Sequence, residues 1–303
     1  MFLASSVTPL FGWGCEGHQM VALLARIHMT PVASNAVDHL LRENPVEVSD
    51  RFCKGGGDLM ADIASWADAV RNAEKTGLWH YIDIPLEAHS GELSQWCEPA
   101  SEPEDKTKDR PGCVTSAITY LGAILADTSK PAATRARALR YLIHFIGDMH
   151  QPLHTTDNND HGGNCTTMQV FSDERASNLH SIWDSRLIAR TLADRKMTPA
   201  QYATVIDAKY AASFKTIAAG NQTEWAWDGH TAAEKYTYGL LKPAIPVEKY
   251  DAKADCNAER EKVAALKIKI DDPYFSGAMP VIDAQLAKGG YRLASYLNQI
   301  LTQ

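Results

Sequence analysis

The stretch HFIGDMHQPLH, from His144 to His154, decides the fold of this 303-residue chain. It closes a segment, residues 131–149, in which apolar side chains recur at intervals of three and four, the period of an amphipathic helix. Pro152 cannot continue a helix, so the helix is predicted to end just before it. His144 and Asp148 are four residues apart and share one helix face, where both side chains can hold one ion. The stretch therefore predicts a helix whose C-terminal end carries a metal site.

A second pair with the same spacing, His180 and Asp184, lies downstream. Spacing alone carries little weight, because a chain with 11 histidines and 22 aspartates contains about one such pair by chance. Further motifs rich in histidine, aspartate and glycine support the metal-site hypothesis. They are Trp13-Gly14-Cys15-Glu16-Gly17-His18, Trp66-Ala67-Asp68, Trp79-His80-Tyr81-Ile82-Asp83 and Gly162-Gly163-Asn164. Histidine and aspartate ligands without cysteine are typical of catalytic zinc sites, which keep a coordination position open to water.

The ordered set of motifs resembles the zinc-dependent, single-strand-specific nucleases of fungi, plants and bacteria, which share a helical fold with zinc phospholipase C. The matching motifs run from Trp13 to Asp184, and the remaining third of the chain is compatible with helix. The resemblance implies hydrolysis of single-stranded DNA and RNA to 5′-nucleotides. It also implies removal of phosphate from 3′-nucleotides.

The resemblance further implies three zinc ions and assigns their ligands. The first ion would be held by Asp68, His80, His144 and Asp148. The second would be held by His154, His180 and Asp184. The third would take the α-amine and carbonyl of Trp13, His18, and a second oxygen of Asp148, which would then bridge two ions. The same resemblance makes Asp68 and Asp148 the catalytic carboxylates, and it assigns substrate binding to Tyr81, Asp83 and Asn164.

Two alternatives to a nuclease remain open. A zinc phospholipase C on the same fold typically has glutamate as the last ligand of its second ion and a shorter gap between the histidines. This chain has Asp184 there, and 25 residues separate His154 from His180. A secreted zinc-binding protein without activity would bind the metal and turn over no substrate. The segment after Asp83 departs from the nuclease pattern, because Pro85-Leu86-Glu87 offers no lysine for a phosphate.

Composition excludes several other classes. The chain has 45% hydrophobic residues and no apolar run near the roughly 18 residues that a membrane-spanning helix needs. Its formal charge is −7, so it cannot hold duplex DNA by neutralising phosphates alone. A nucleic acid would have to meet a local positive centre, which bound metal ions can supply.

Helical periodicity predicts one all-α domain with minor β pieces. Helices are predicted at residues 19–41, where Pro31 opens a second helix, and at 58–70, 114–125, 131–149, 178–192, 199–218, 223–241 and 281–301. Short strands are predicted at 79–84, 168–171 and 266–270. A split into two domains within 242–255 is the lesser possibility. The protein is expected to be a monomer.

The six cysteines form no C-x-x-C pair, which argues against a zinc ribbon or a thioredoxin-like motif. An even, scattered set favours disulfides in an oxidising compartment, and hence a secreted or periplasmic protein, over buried free thiols, and the sequence does not choose among the 15 pairings. Cys97 is expected to pair with Cys113 or Cys256 and so to anchor the polar, proline-rich residues 87–111. Residues 1–12 are mildly apolar and uncharged, and we interpret them as a residual signal or leader segment before a nuclease domain at 13–303.

The other histidines have structural interpretations. His28, His39 and His150 are predicted to be core residues. His89, His161 and His230 are predicted to face solvent or to lie in loops.

Overall fold

Helices build almost all of the architecture, and the predicted mostly helical fold class is confirmed. The computed structural model describes residues 13–46, 53, 55, 57–103, 105, 107–173, 175–251 and 253–301, so the leader predicted at 1–12 lies outside the described residues. The α-helices are α1 (Cys15–His28), α2 (Pro31–Glu43), α3 (Leu59–Ile63), α4 (Trp66–Glu74), α5 (Val114–Ala126), α6 (Ala132–Asp148), α7 (Leu179–Ser181), α8 (Leu187–Arg195), α9 (Pro199–Tyr210), α10 (Phe214–Ile217), α11 (Gln222–Ala232), α12 (Cys256–Leu266) and α13 (Asp272–Leu301). Helix α13 begins earlier than predicted, because it accommodates Pro280 in its interior.

Helix α6 lies at the centre of the core. Every residue from 138 to 148 is buried, because at this level the helix contacts neighbours on all sides. It packs against α5 and α13, and also against α1, α2 and α4. Each fully buried leucine, isoleucine or phenylalanine contributes about 1.5–3 kcal/mol, so this packing fixes the end of α6, where the predicted metal ligands lie.

One small sheet, with strand order β2-β1-β3, lies beside the helices. Strand β1 (Thr167–Val170) pairs antiparallel with β2 (Ser177–Asn178) and parallel with β3 (Lys269–Ile270). The strands predicted at 168–171 and 266–270 are therefore present, although the second is shorter because Leu266 still belongs to α12.

The strand predicted at 79–84 is wrong. Gly77–His80 forms a 3₁₀ turn, and the residues after it are extended but join no ladder among the described strands. The Ile82 amide instead donates to the His154 carbonyl at 2.8 Å, and the Tyr81 carbonyl accepts from the Val114 amide at 3.0 Å. The segment has a strand-like alternation of side chains, but its backbone bonds are made to turns and helix ends.

Three disulfides cross-link the chain, namely Cys15–Cys53, Cys97–Cys113 and Cys165–Cys256. Of the two partners expected for Cys97, Cys113 is the one found, with a Cα separation of 5.4 Å. Disulfides persist in oxidising compartments, so they support an extracellular protein. Among the described helices, none combines the length and apolarity that crossing a membrane requires.

The segment considered as a domain boundary is tied to the body of the fold. Asn158 donates through its side-chain amide to the Pro246 carbonyl at 3.0 Å, and Asn159 does the same to the Lys249 carbonyl at 2.8 Å. Helix α13 then returns along α1. These contacts join both ends of the described chain in one helical domain.

Candidate metal centre

The end of α6 directs His144 and Asp148 into the interior, as their spacing predicts. Neither side chain has exposed surface, and His144 Nε2 lies 3.1 Å from Asp148 Oδ2. His144 Nδ1 donates to the Ala64 carbonyl at 2.7 Å. In the neutral ring this bond leaves the lone pair on Nε2, where it faces the carboxylate.

Asp68 and His80 join this pair from two other elements. Asp68 lies on α4, His80 ends the 3₁₀ turn, and both side chains are buried. His80 Nδ1 is 3.0 Å from Asp148 Oδ2 and 3.4 Å from Asp68 Oδ1. His144 Nε2 is 3.5 Å from the same Asp68 oxygen. The structure thus brings together the four residues expected around the first ion.

His18 approaches the other oxygen of Asp148 from α1. Its Nε2 lies 3.3 Å from Asp148 Oδ1, and its ring stacks on that of His144 with centroids 4.0 Å apart. A Cβ at Gly147 would lie 2.8 Å from His18 Nδ1, so glycine permits this approach. Burial, together with His144, lowers the pKa of His18 to about 4. The ring is therefore neutral near pH 7 and keeps a lone pair.

Trp13 lies next to this group at the start of the described chain. Its side chain is fully buried, and a Cβ at Gly17 would lie 2.7 Å from the Trp13 Cβ. The following amide, of Gly14, donates to the Asp184 carbonyl at 2.7 Å. The backbone at Trp13 is thereby held against the helix turn that carries Asp184.

His154, His180 and Asp184 form a second buried group. His154 Nδ1 donates to the His80 carbonyl at 2.7 Å, and His180 Nδ1 donates to the Gly162 carbonyl at 2.6 Å. In each neutral ring the single N–H proton is therefore on Nδ1, so both Nε2 atoms carry lone pairs, and they face each other at 3.0 Å. Two lone pairs at this distance repel unless a cation lies between them, and zinc–nitrogen distances of about 2.0–2.1 Å suit such a bridge.

Two local backbone features orient the side chains of Asp184 and His180. Asp184 lies in a single π-helical turn, Ile182–Arg186, inserted between α7 and α8. Such π insertions are frequent at functional sites. Gly162 has φ +59°, and a Cβ there would lie 2.5 Å from the Leu153 carbonyl oxygen. Glycine is therefore required for the turn whose carbonyl orients His180.

Unpaired polar atoms concentrate at the centre of these groups. Buried atoms without a hydrogen-bond partner among the described residues include His18 Nδ1 and Nε2, Asp68 Oδ1, His80 Nε2 and Asp148 Oδ1. Each such atom costs about 1–3 kcal/mol. Although burial opposes it, the carboxylates of Asp148 and Asp68 raise the pKa of His144 well above its usual value. The centre therefore requires positive charge, and its nitrogen and oxygen donors fit zinc.

A cleft of about 120 Å³ opens beside the ligands. We call it the base cleft, after the substrate binding that the resemblance implies for Tyr81, Asp83 and Asn164. Its lining also includes Arg71 and His161 together with the predicted ligands His80, His154 and His180. Tyr81 is half-buried. Burial, with further contributions from Asp157 and Asp160, raises the pKa of Asp83 to about 7. The structure thus gathers the three predicted substrate-binding residues at one opening.

Two residues near the candidate metal centre, Arg71 and Gln151, were not predicted from the sequence. Arg71 lines the base cleft and supplies the basic side chain that was not found after Asp83. It lies on α4 three positions after Asp68, and that spacing was the available signal. Gln151 donates from its side-chain amide to Asp184 Oδ1, and its own oxygen accepts from the Leu153 amide at 2.7 Å. It orients a predicted ligand.

The predictions for the other histidines were partly wrong. His150 is buried as predicted and accepts from Arg292 at 2.9 Å, whereas His28 is only half-buried. His39 is exposed on α2, because it lies on the polar side of that helix. His230 is buried, since its two ring nitrogens contact Thr156 Oγ1 and the Ala88 carbonyl. His89 and His161 are exposed as predicted.

Comparison with known proteins agrees with this geometry. The chain matches the family model described as S1/P1 Nuclease over residues 13–302. It is 31% identical to Endonuclease 2 of Arabidopsis thaliana, covering 99% of this chain and 94% of the relative. It is 29% identical to Nuclease P1 of Penicillium citrinum (95% and 97% covered) and 26% identical to Nuclease S1 of Aspergillus oryzae (97% and 93% covered). The chain belongs to the S1/P1 nuclease family.

Proposed function

We propose that this protein is an extracellular or periplasmic zinc phosphodiesterase. It hydrolyses single-stranded DNA and RNA to 5′-nucleotides and removes the phosphate of 3′-nucleotides. Family membership supports a nuclease. The observation that carries the metal dependence is the facing pair of imidazole Nε2 atoms, 3.0 Å apart, whose Nδ1 atoms are both committed to carbonyls.

Three zinc ions are proposed. The first is held by Asp68, His80, His144 and Asp148, the second by His154, His180 and Asp184, and the third by His18, Asp148 and the α-amine and carbonyl of Trp13. The contacts of Asp148 support a shared role. Its Oδ2 faces His80 and His144, whereas its Oδ1 faces His18. One carboxylate can thus serve two ions.

The ions, when bound, supply the Lewis acidity that activates a water molecule and the positive charge that offsets the negative charge of the phosphate. The protein supplies orientation. Asp68 and Asp148 are buried and fixed by neighbouring imidazoles, so the catalytic carboxylates need no rearrangement. Arg71 lies in the same cleft, where its guanidinium suits a phosphate oxygen.

Preference for single strands follows from the base cleft. We propose that a base stacks on Tyr81 and forms hydrogen bonds with Asp83 and Asn164. Such a base must leave the stack of a duplex, and unstacking costs a few kcal/mol. In a single strand that cost is small, so the unpaired substrate is favoured.

A paired assay tests this function. Purified protein is incubated with single-stranded DNA, RNA, duplex DNA, a 3′-nucleotide and phosphatidylcholine, each with and without a zinc chelator. We expect cleavage of the unpaired nucleic acids and release of phosphate from the 3′-nucleotide, both abolished by the chelator. Turnover of phosphatidylcholine alone would identify a phospholipase C. Bound zinc without turnover of any substrate would identify a noncatalytic zinc-binding protein.

Tyr81→Ala is expected to weaken binding of single-stranded substrate by about 1–3 kcal/mol, the usual contribution of one stacked base. KM for an oligonucleotide should rise accordingly, while bound zinc stays unchanged. Tyr236→Ala is the matched control, because that ring is 41% exposed and does not line the cleft. An unchanged KM for Tyr81→Ala would assign the ring to packing only.

The third zinc site depends on the N-terminus of the chain. An amine that binds a metal needs a lone pair, which the Trp13 nitrogen lacks while it is joined to Gly12 by a peptide bond. We expect protein that begins at Trp13 to bind three zinc ions and to be more active than protein that retains residues 1–12. Metal analysis and nuclease rates of the two preparations measure this. Equal zinc content and equal rates would exclude the Trp13 amine as a ligand.

A further inference from the structure

A second cavity adjoins the base cleft, and Tyr81 and Asp83 line both. Its volume is about 480 Å³, within the size range of small-molecule sites. We call it the Trp96 cavity, and its lining also includes Leu78, Ser94, Gln95, Trp96, Glu98 and the Cys97–Cys113 disulfide. Because two side chains are shared, a ligand longer than one nucleotide can extend from the base cleft into the Trp96 cavity.

The indole ring of Trp96 is held in place but remains partly exposed. Its backbone amide donates to the Leu93 carbonyl at 2.9 Å. Its ring packs edge-on against Trp227, with centroids 6.1 Å apart. On another side lies Gly91, where a Cβ would be 3.1 Å from Trp96 Cη2. A fixed aromatic ring loses little conformational entropy when a ligand stacks on it.

The wall that carries Trp96 is anchored to the fold at several points. The Cys97–Cys113 disulfide joins the segment to the start of α5. The Trp79 indole donates to the Pro111 carbonyl at 2.8 Å, and Arg110 Nε donates to the Glu74 carbonyl at 2.8 Å. The cavity is therefore a fixed feature of the surface beside Tyr81.

Charge indicates which part of a nucleotide fits. The described residues that line the Trp96 cavity include the carboxyl groups of Asp83 and Glu98 and no lysine or arginine. Asp83 lines both cavities, so the two differ in charge by Glu98, which would repel a phosphate from the Trp96 cavity, and by Arg71, whose basic side chain lines the base cleft. An uncharged base can stack on Trp96 and form hydrogen bonds with the exposed Ser94 hydroxyl and Gln95 amide.

We propose that the Trp96 cavity is a second base subsite, which binds the base next along the strand from the one beside Tyr81 and Asp83. This proposal rests on the proposed nuclease function. With this subsite the protein would distinguish an oligonucleotide from a mononucleotide, which the base cleft alone cannot do. A 3′-mononucleotide fills only the base cleft, whereas an oligonucleotide occupies both sites and gains the additional stacking contact.

The test compares KM for a 3′-mononucleotide and for a short single-stranded oligonucleotide. Trp96→Ala should raise KM for the oligonucleotide roughly 5- to 150-fold, the equivalent of one stacked base. KM for the mononucleotide should stay within about twofold, because its site is intact. Trp96→Phe should restore most of the oligonucleotide affinity, since a phenyl ring still stacks. Gln95→Ala should give a smaller rise, and Tyr236→Ala should match the wild type.

Any other result contradicts either the subsite or the proposed nuclease function. An unchanged oligonucleotide KM in Trp96→Ala, an equal rise for both substrates, or a Trp96→Phe variant as weak as Trp96→Ala would overturn the subsite. These results would leave the nuclease function intact, because the wild-type protein turns over both substrates in the same experiment. A wild-type protein that cleaves neither substrate would instead contradict the proposed function and the subsite together.

Discussion

Asp148→Asn is expected to lower the turnover of single-stranded DNA roughly 100- to 1,000-fold or more, and more than any other single ligand substitution. Asp148 is fully buried, and its two oxygens face different imidazoles, His80 and His144 on one side and His18 on the other. Asparagine keeps the size of the side chain but replaces one anionic oxygen with a neutral NH₂ group. Both ions assigned to this residue would lose a charged ligand.

The measurement is kcat on a single-stranded oligonucleotide together with zinc content per chain. Asp184→Asn is the comparison ligand, since it is assigned to one ion, and it should retain more activity. Asp127→Asn is the neutral control, because Asp127 follows α5 at the surface and its carboxylate accepts hydrogen bonds only from Ser129 among the described contacts. Near-wild-type turnover of Asp148→Asn with three zinc ions bound would refute the bridging assignment.

Removal of metal is expected to destabilise the fold strongly. The three groups contain five imidazoles and three carboxylates, all buried. Without a cation several of their atoms, among them His80 Nε2 and Asp148 Oδ1, lack a hydrogen-bond partner among the described residues. Burial, with the charges of Asp148 and Asp68 adding to it, raises the pKa of Asp184 well above its usual value, so its ionised form depends on a nearby positive charge. A zinc ion that binds only the folded state, at a free concentration a thousand times its dissociation constant, stabilises the fold by about 4.1 kcal/mol. For a domain of this size, each such ion should raise Tm by roughly 7 °C.

Thermal unfolding with and without a chelator measures this loss. Disulfides must stay oxidised throughout, because Cys15–Cys53 also restrains the N-terminal end of α1. Added zinc should restore both Tm and activity. A Tm that does not change when metal analysis shows the zinc to be gone would mean that the buried groups satisfy one another without ions.

Local patterns predicted the parts of the fold that depend on neighbouring residues in sequence. The apolar period of residues 131–149 predicted α6, and the four-residue spacing of His144 and Asp148 placed both on one face. Periodicity failed at residues 79–84, where the alternation is real but the backbone bonds go to His154 and Val114. The burial predicted for His39 and the exposure predicted for His230 were also wrong, because burial on a helix depends on which neighbours cover each face.

The sequence by itself determined the helical class, the identity of the candidate ligands and their resemblance to a zinc nuclease family. Only the tertiary structure decided which partner Cys97 takes, that Arg71 enters the base cleft, and that the Trp96 cavity adjoins it. The physical reason is distance along the chain. Spacing within one helix fixes the geometry of His144 and Asp148, but the meeting of Asp148 with His18 and His80 requires α1, α6 and the 3₁₀ turn to pack around one core. Contacts of that kind depend on the shape of the whole buried interior, which no local pattern encodes.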